Sequence, residues 1–199
     1  MKLILALSLA LCFSNADAKP HKTVHDPVRT VRWEGVTDLD MLKQVRADID
    51  SAIASNVKIL RVYITSGGGP VITSLEIARL VRDTSEQTGM VIEMHAQALC
   101  ASGCTFVLAA GTPHHRFISR WALFLVHPIQ QGGECVVHVD DPKTQDDKAT
   151  DTILDLMRDH YMRYTGRDKA EVVSWLTCGQ EQVGPGALAV SLNMADAIE

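Results

Sequence analysis

Aromatic residues are scarce in this chain, at 5% of 199 residues. Its 46% hydrophobic fraction is instead rich in Ala, Val, Ile and Leu, an ordinary composition for a globular core. A cationic excess is also missing: Lys and Arg number 19 against 24 Asp and Glu, for a formal net charge of −5. No basic stripe appears, which removes nucleic acid as a partner. Beyond the first residues no apolar run approaches the length needed to span a bilayer. There are no internal repeats, no low-complexity segments and no linker, so the length points to one domain with a real core. Neither a G-K-[ST] phosphate loop nor a G-x-G-x-x-G turn occurs. Cysteine is sparse, at five residues. The C-x3-C of Cys100 and Cys104 is a poor zinc motif with no matching His or Cys pair after it, so no metal and no cofactor is expected.

What is present begins with an export signal. Lys2 supplies a positive start, Leu3 to Phe13 an apolar stretch, and Ala16-Asp17-Ala18 an A-x-A cleavage pattern. Residues 1–18 read as a signal peptide cut after Ala18, leaving a mature chain from Lys19 that is periplasmic or secreted and has no membrane association. Leu11 before Cys12 argues against a lipid anchor, because a small residue belongs there. Export implies an oxidising compartment, where disulfides are the better expectation than metal. Cys100, Cys104, Cys135 and Cys178 remain, and their three full pairings stay open at this level.

Residues 19–30 read as an extended arm, whose His21 and His25 belong to a loose basic tail rather than a metal site. The domain follows over 31–199, opening on a short strand at Val31-Arg32-Trp33. Leu39, Leu42, Val45, Ile49 and Ile53 predict a helix from Asp38 to Ser55, capped by Thr37 or Asp38. Val57 to Ile64 is a β-branched strand. A helix from Pro70 to about Gln87, ended by Gly89, precedes the strand Met90 to His95. Thr105 to Gly111 is a short helix, Thr112 to Arg116 a turn, and Ala122 to Val126 a core strand. Ile129 to Lys143 reads as loop, Thr144 to Tyr164 as a long helix and Asp168 to Leu176 as a second. Thr177 to Val183 holds a short strand, and Pro185 to Asn193 is the last helix. This alternation predicts a single α/β domain with parallel strands.

Three stretches carry chemistry. In Cys100-Ala101-Ser102-Gly103-Cys104 a serine sits between small residues where a strand turns into a helix. That is how a nucleophilic hydroxyl is presented, with the next amide free to face an oxyanion. A helix-capping serine is the plainer reading of the same residues. Thr65-Ser66-Gly67-Gly68-Gly69-Pro70 removes every Cβ from one short loop, which lets backbone approach a ligand closely. A flexible turn is the plainer alternative. His127 ends a buried strand, at the edge where α/β sheets place their sites.

Together these stretches resemble the proteolytic subunit of the Clp protease, within the Clp peptidase/crotonase superfamily. Tyr63 to Gly69 resembles the family's Y-I-N-S-P-G-G, and Cys100 to Gly111 its A-A-S-M-G-A-F-L-L-A-A-G. Phe124-Leu125-Val126-His127-Pro128 resembles V-M-I-H-Q-P, Tyr164-Thr165-Gly166 resembles H-T-G, and Ala189 to Ile198 resembles A-V-E-Y-G-L-I-D-K-V. The resemblance implies a Clp-peptidase/crotonase-like repeated β-β-α superhelix around a mostly parallel central sheet. It implies a serine endopeptidase with Ser102 as nucleophile, His127 as base and Glu181 as the acid, with Asp140 and Asp141 as alternative acids. The amides of Gly68, Gly69 and Gly103 would form the oxyanion hole. The glycine loop and the segment from Ile129 to Gly133 would pair with the backbone of a peptide or unfolded protein substrate.

The chain also departs from the family. Glu181 stands where the family has Asp, Gly67 replaces a proline, and one residue is missing between His127 and Pro128. An exported relative would lack the ATP-driven unfoldases of the cytosol, so ATPase-independent action is expected. If His127 and Glu181 meet, Cys135 and Cys178 approach each other and pair, leaving Cys100 and Cys104 free or bonded across the serine turn. The 144–164 helix, at the position of the family's ring-stacking handle, implies a homo-oligomer. Two rival readings remain at this level. One is a non-catalytic peptide-binding protein on the same fold, and the weaker is a crotonase-like acyl-thioester enzyme.

Overall fold

The alternation of strands and helices is realised in a computed structural model that describes residues 27–131, 134–135 and 145–199. The export signal, the arm up to residue 26, Gly132, Gly133, Asp140 and Asp141 lie outside the described residues. In chain order the elements are β1 (Val28–Val36), α1 (Leu39–Ala54), β2 (Ile59–Gly68), α2 (Val71–Thr88), β3 (Val91–Ala101) and α3 (Gly103–Ala109). Then come β4 (Arg116–Ile118), β5 (Leu123–Val126), β6 (Gln130–Gln131), β7 (Glu134–Cys135) and α4 (Gln145–Thr165). The chain closes with α5 (Lys169–Trp175), β8 (Gln182–Pro185), α6 (Gly186–Ser191) and β9 (Ala197–Ile198).

Strands β1, β2 and β3 lie side by side and parallel. Along them the residues Trp33, Leu60, Val62, Ile64, Ile92, Met94 and Ala96 are buried on one face, where they join the core with α1 and α2. Helix α1 starts where a carboxylate can cap it: the Asp38 side chain accepts the amides of Asp40 and Met41 at 3.0 and 3.1 Å. Met41, Val45, Ile49 and Ala52 then recur at helical spacing on its buried side. Helix α2 stops at Gly89, whose φ of 69° places it in the left-handed region that closes a helix.

The strand that carries the site departs most from expectation. β3 continues past His95 to Ala101, because its two halves have different partners. Met94 to Ala96 pairs with β4, and Leu99 to Ala101 pairs with β5. The sheet therefore forks at β3, with β9 beyond β4 and β8 beyond β5. Every pairing in this seven-stranded sheet is parallel except β5 with β8. The result is a single mixed α/β domain with a mostly parallel central sheet, consistent with the expected fold. Further differences are local. β2 runs on past Ile64 through the first part of the expected glycine loop to Gly68. β1 begins within the segment expected as an arm, because Val28 already pairs with Ile59. β4 begins at Arg116, the last residue of the expected turn, and runs over two residues given no element, being too short for a period-two pattern to show. β6 and β7 form a small antiparallel hairpin inside the expected loop.

Helix α4 packs back on its own domain rather than standing free. Met157 and Tyr161 are buried, and the Tyr161 ring lies 4.9 Å from that of Phe106 in α3. Beside them His160 donates from Nε2 to the Phe106 carbonyl at 3.1 Å. Burial drops the His160 pKa to about 3 from its ordinary 6.5. The folded chain thus keeps a neutral imidazole where the unfolded chain takes up a proton. Stability contributed by this group is present above the unfolded value and is lost as pH falls from 6.5 towards 3, at no more than about 1.4 kcal/mol per pH unit. Thermal melts of His160→Gln, which keeps a donor for the carbonyl but does not titrate, should fall less steeply with acidification than those of the parent. Parallel curves for the two proteins would refute this.

Candidate active site

Ser102 sits between β3 and α3 with φ 54° and ψ −126°. A positive φ at a residue with a side chain is costly, about 1–3 kcal/mol, and is held only where the surroundings dictate it. Here they do. The Ser102 amide donates to the Leu125 carbonyl of β5 at 2.8 Å, which carries the ladder through the turn. Cys100 at the end of β3 and Cys104 in the first turn of α3 are disulfide-bonded and fully buried, tying the two sides of the elbow together. The Ser102 side chain makes no capping hydrogen bond to α3. The residue is therefore at a cap position without its side chain acting as a cap, and it lines a cavity.

The glycine loop lies directly behind this elbow. A Cβ on Gly68, whose φ is +94°, would stand 2.5 Å from the Ser102 Cβ and 2.7 Å from the Gly103 nitrogen. A Cβ on Gly103 would stand 2.1 Å from the Ser74 Oγ. Gly68 therefore lets the end of β2 approach the elbow, and Gly103 lets the Ser74 and Thr37 side chains pack against the start of α3. Thr37, Ser66 and Ser74 fix the loop in turn. The Thr37 amide donates to the Gly68 carbonyl at 3.0 Å, and the Ser74 hydroxyl donates to the Pro70 carbonyl at 2.9 Å. The Gly68 amide donates to the Ser66 Oγ at 3.0 Å, so that donor is engaged. The Gly69 amide meets no acceptor among the described residues, and the Gly103 amide, first in α3, has no intrahelical one. Of the three glycines expected to bind an oxyanion, Gly69 and Gly103 thus carry the free donors.

His127 follows the last residue of β5 and lines the same cavity as Ser102. Its Nδ1 is 2.5 Å from the Pro128 carbonyl. A carbonyl only accepts, so this bond selects the tautomer of the neutral ring with its proton on Nδ1 and its lone pair on Nε2. No hydrogen bond directly joins the imidazole to Ser102 Oγ. Glu181 makes no hydrogen bond or ion pair with His127. The antiparallel β5–β8 ladder ends at the Val126–Gln182 pair, and His127 and Glu181 are the residues just beyond it on their two segments. Its exposed carboxylate turns back to accept the Gly179 amide at 3.2 Å. Cys135 and Cys178 are disulfide-bonded, linking the β6–β7 hairpin to the chain just before β8. Closing a loop of 43 residues contributes about 4 kcal/mol.

The cavity has a volume of about 460 Å³, in the range of small-ligand clefts. Ser102, His127 and Gly69 border it, while Pro70, Ile72, Phe106, Ile153, Met157 and Tyr161 supply apolar walls. Ile129, expected to contact substrate, lines it with Pro128 and Gln130. Among the described residues no group of three His, Cys, Asp or Glu is placed to hold a metal ion. The walls from α4, and the Thr105 hydroxyl behind the elbow, were not legible from sequence spacing. They come from far along the chain, and their only signal was the apolar side of α4. The sequence model of the Clp protease family matches residues 29–177, which cover both the elbow and the long helix. A search of curated proteins returned no match.

The two kinds of glycine separate strain from crowding. Gly35 has φ +105° with nothing within 4 Å of a built Cβ, whereas Gly68 has both a positive φ and a collision. Gly35→Ala should cost about 1–2 kcal/mol from backbone strain alone. Gly68→Ala should lose that much and a further 1–3 kcal/mol or so from overpacking. Urea denaturation of both variants measures the difference, and equal losses would show that the loop and the elbow are not in contact.

Proposed function

Since the chain belongs to the Clp protease family, we propose that it is an ATPase-independent serine endopeptidase in which Ser102 is the nucleophile and His127 the base. The observation that carries this reading is the elbow itself: a positive-φ serine whose hydroxyl caps nothing, beside a histidine that borders the same cavity. In the reaction, the Ser102 Oγ attacks a peptide carbonyl while His127 Nε2 takes its proton. The Nδ1–H bond to the Pro128 carbonyl holds the tautomer this requires. The carbonyl oxygen becomes an oxyanion facing the Gly69 and Gly103 amides, each worth about 10²–10³ in rate. The imidazolium then protonates the leaving amine, and water hydrolyses the acyl-enzyme by the same route. The apolar walls favour a large aliphatic or aromatic side chain next to the scissile bond.

Glu181 is assigned the supporting role of stabilising the imidazolium from across the β5–β8 ladder. Export to the periplasm or medium completes the reading, supported by the two disulfides. Fluorophosphonate labelling of the oxidised protein at neutral pH tests the chemistry. Ser102→Ala should abolish labelling, and His127→Ala should slow it by on the order of 10⁴-fold or more. Glu181→Ala should cost far less than the roughly 10⁴-fold of a lost tautomer, because Pro128 already holds Nδ1. Absence of labelling and of peptide cleavage would leave a peptide-binding protein, a reading favoured by the missing Ser102–His127 hydrogen bond. Labelling at another residue would overturn the site.

Members of this family are typically oligomeric and act on peptides, and we assign the chain a homo-oligomeric state. With Met157 and Tyr161 of α4 buried in their own domain, the contact is assigned to the outer face of β5 and β8. Leu123, Val183 and the neighbouring Trp121 are exposed there, Trp121 by 87%. Light scattering should find an oligomer for the parent and smaller species for Leu123→Asp. A monomeric parent at micromolar concentration would refute the assignment.

A further inference from the structure

The orientation of the oxyanion amide is set by a pair of hydroxyls behind the nucleophile. Ser102 has non-helical φ and ψ, yet its carbonyl is already engaged by the first turn of α3, which fixes the peptide plane between Ser102 and Gly103. Two groups of Thr105 hold that carbonyl: it accepts the Thr105 amide at 2.9 Å and the Thr105 hydroxyl at 2.6 Å. The Thr105 Oγ1 also lies 2.7 Å from the Tyr161 hydroxyl of α4. The direction of that bond follows from proton counting. A carbonyl only accepts, so the single Thr105 proton is committed to Ser102, and Tyr161 must donate to Thr105. Thr105 and Tyr161 are both buried, and burial pushes the phenol's pKa up, so this donor stays protonated throughout the working range.

In a trans peptide the carbonyl and the N–H point to opposite sides. Anchoring the Ser102 carbonyl on Thr105 therefore aims the Gly103 N–H away from Thr105. The Gly103 nitrogen lies on the side of the glycine loop, 2.7 Å from where a Gly68 Cβ would stand. We propose that Thr105 and Tyr161 are positioning residues, which fix the peptide plane after the nucleophile and so aim the Gly103 amide at the oxyanion. Helix α4 is thereby coupled to catalysis through one hydroxyl. This rests on the serine-peptidase reading of the same site. Neither hydroxyl acts on the substrate; the Tyr161 ring borders the cavity, but its oxygen faces Thr105.

The test separates aim from binding. Tyr161→Phe keeps the ring and removes only the outer hydroxyl. Thr105→Val keeps the shape and removes the inner one, and Thr105→Ser restores it. Steady-state cleavage of a short peptide ester and the rate of fluorophosphonate labelling are measured, with melting curves to establish that each variant is folded. Thr105→Val should lower kcat about 10–100-fold, a fraction of the roughly 10²–10³ lost with a whole oxyanion donor. Tyr161→Phe should lower it about 3–10-fold on the same scale, KM should stay within about twofold in both, and Thr105→Ser should recover most of kcat. In folded Tyr161→Phe the Gly103 amide resonance should also shift. Unchanged kcat in both variants, or a rise in KM with kcat intact, would overturn the proposal while leaving the peptidase reading in place. A parent protein that takes up no label removes that reading, and this inference with it.

Discussion

The close approach of two stretches of backbone, Gly68 against Ser102 and Gly103, is the constraint on which the site depends. It forces glycine at position 68, the end of β2, while the Ser74 and Thr37 side chains packed against the first residue of α3 force glycine at 103. It also confines Ser102 to a turn whose φ of 54° the chain would not choose locally. Strain of this kind persists only where neighbours over-determine it. The ladder bond to Leu125, the buried Cys100–Cys104 disulfide and the Thr105 bonds to the Ser102 carbonyl each restrain the same few atoms. The loss of any one leaves the others in place, which is the usual way a rigid scaffold supports a reactive group.

The forked sheet explains why the groups meet. β2, β3 and β5 run parallel, so their C-terminal ends lie together at one edge, and Gly68, Ser102 and His127 stand at or just beyond those ends. Open α/β sheets bind ligands at such edges, where the connections diverge. At β3 the divergence is literal, since its first half pairs with β4 and its second with β5. The imidazole gains its tautomer from a backbone carbonyl one residue away rather than from a carboxylate.

Helix α4 contributes to the site in a way that its place in the chain does not suggest. It closes the apolar side of the cavity through Ile153, Met157 and Tyr161, and its neutral, buried His160 meets the Phe106 carbonyl. An apolar stripe that the sequence offers to a partner is spent inside the domain. Leu156 on the same helix stays exposed, as do Leu123 on β5, Val183 on β8 and Trp121.

Local signals in the sequence were enough to establish most elements: a cap at Thr37 or Asp38, the Gly89 stop, the β-branched run of β2 and the serine turn before an apolar helix. The order of the glycine loop, Ser102 and His127 was enough to establish the family, which the match over residues 29–177 bears out. These features were legible because each depends on residues a few positions apart. The extension of β3, the strand β4 and the β6–β7 hairpin were not, because pairing with a distant strand can make a strand of residues whose local pattern is weak. Only the tertiary structure decided that the Gly68 amide is taken by Ser66, that Glu181 turns to Gly179, and that Tyr161 stands behind Ser102. A hydrogen bond depends on direction to within a few tenths of an ångström. Sequence spacing fixes which residues share an edge of the sheet, but not which way their polar groups point.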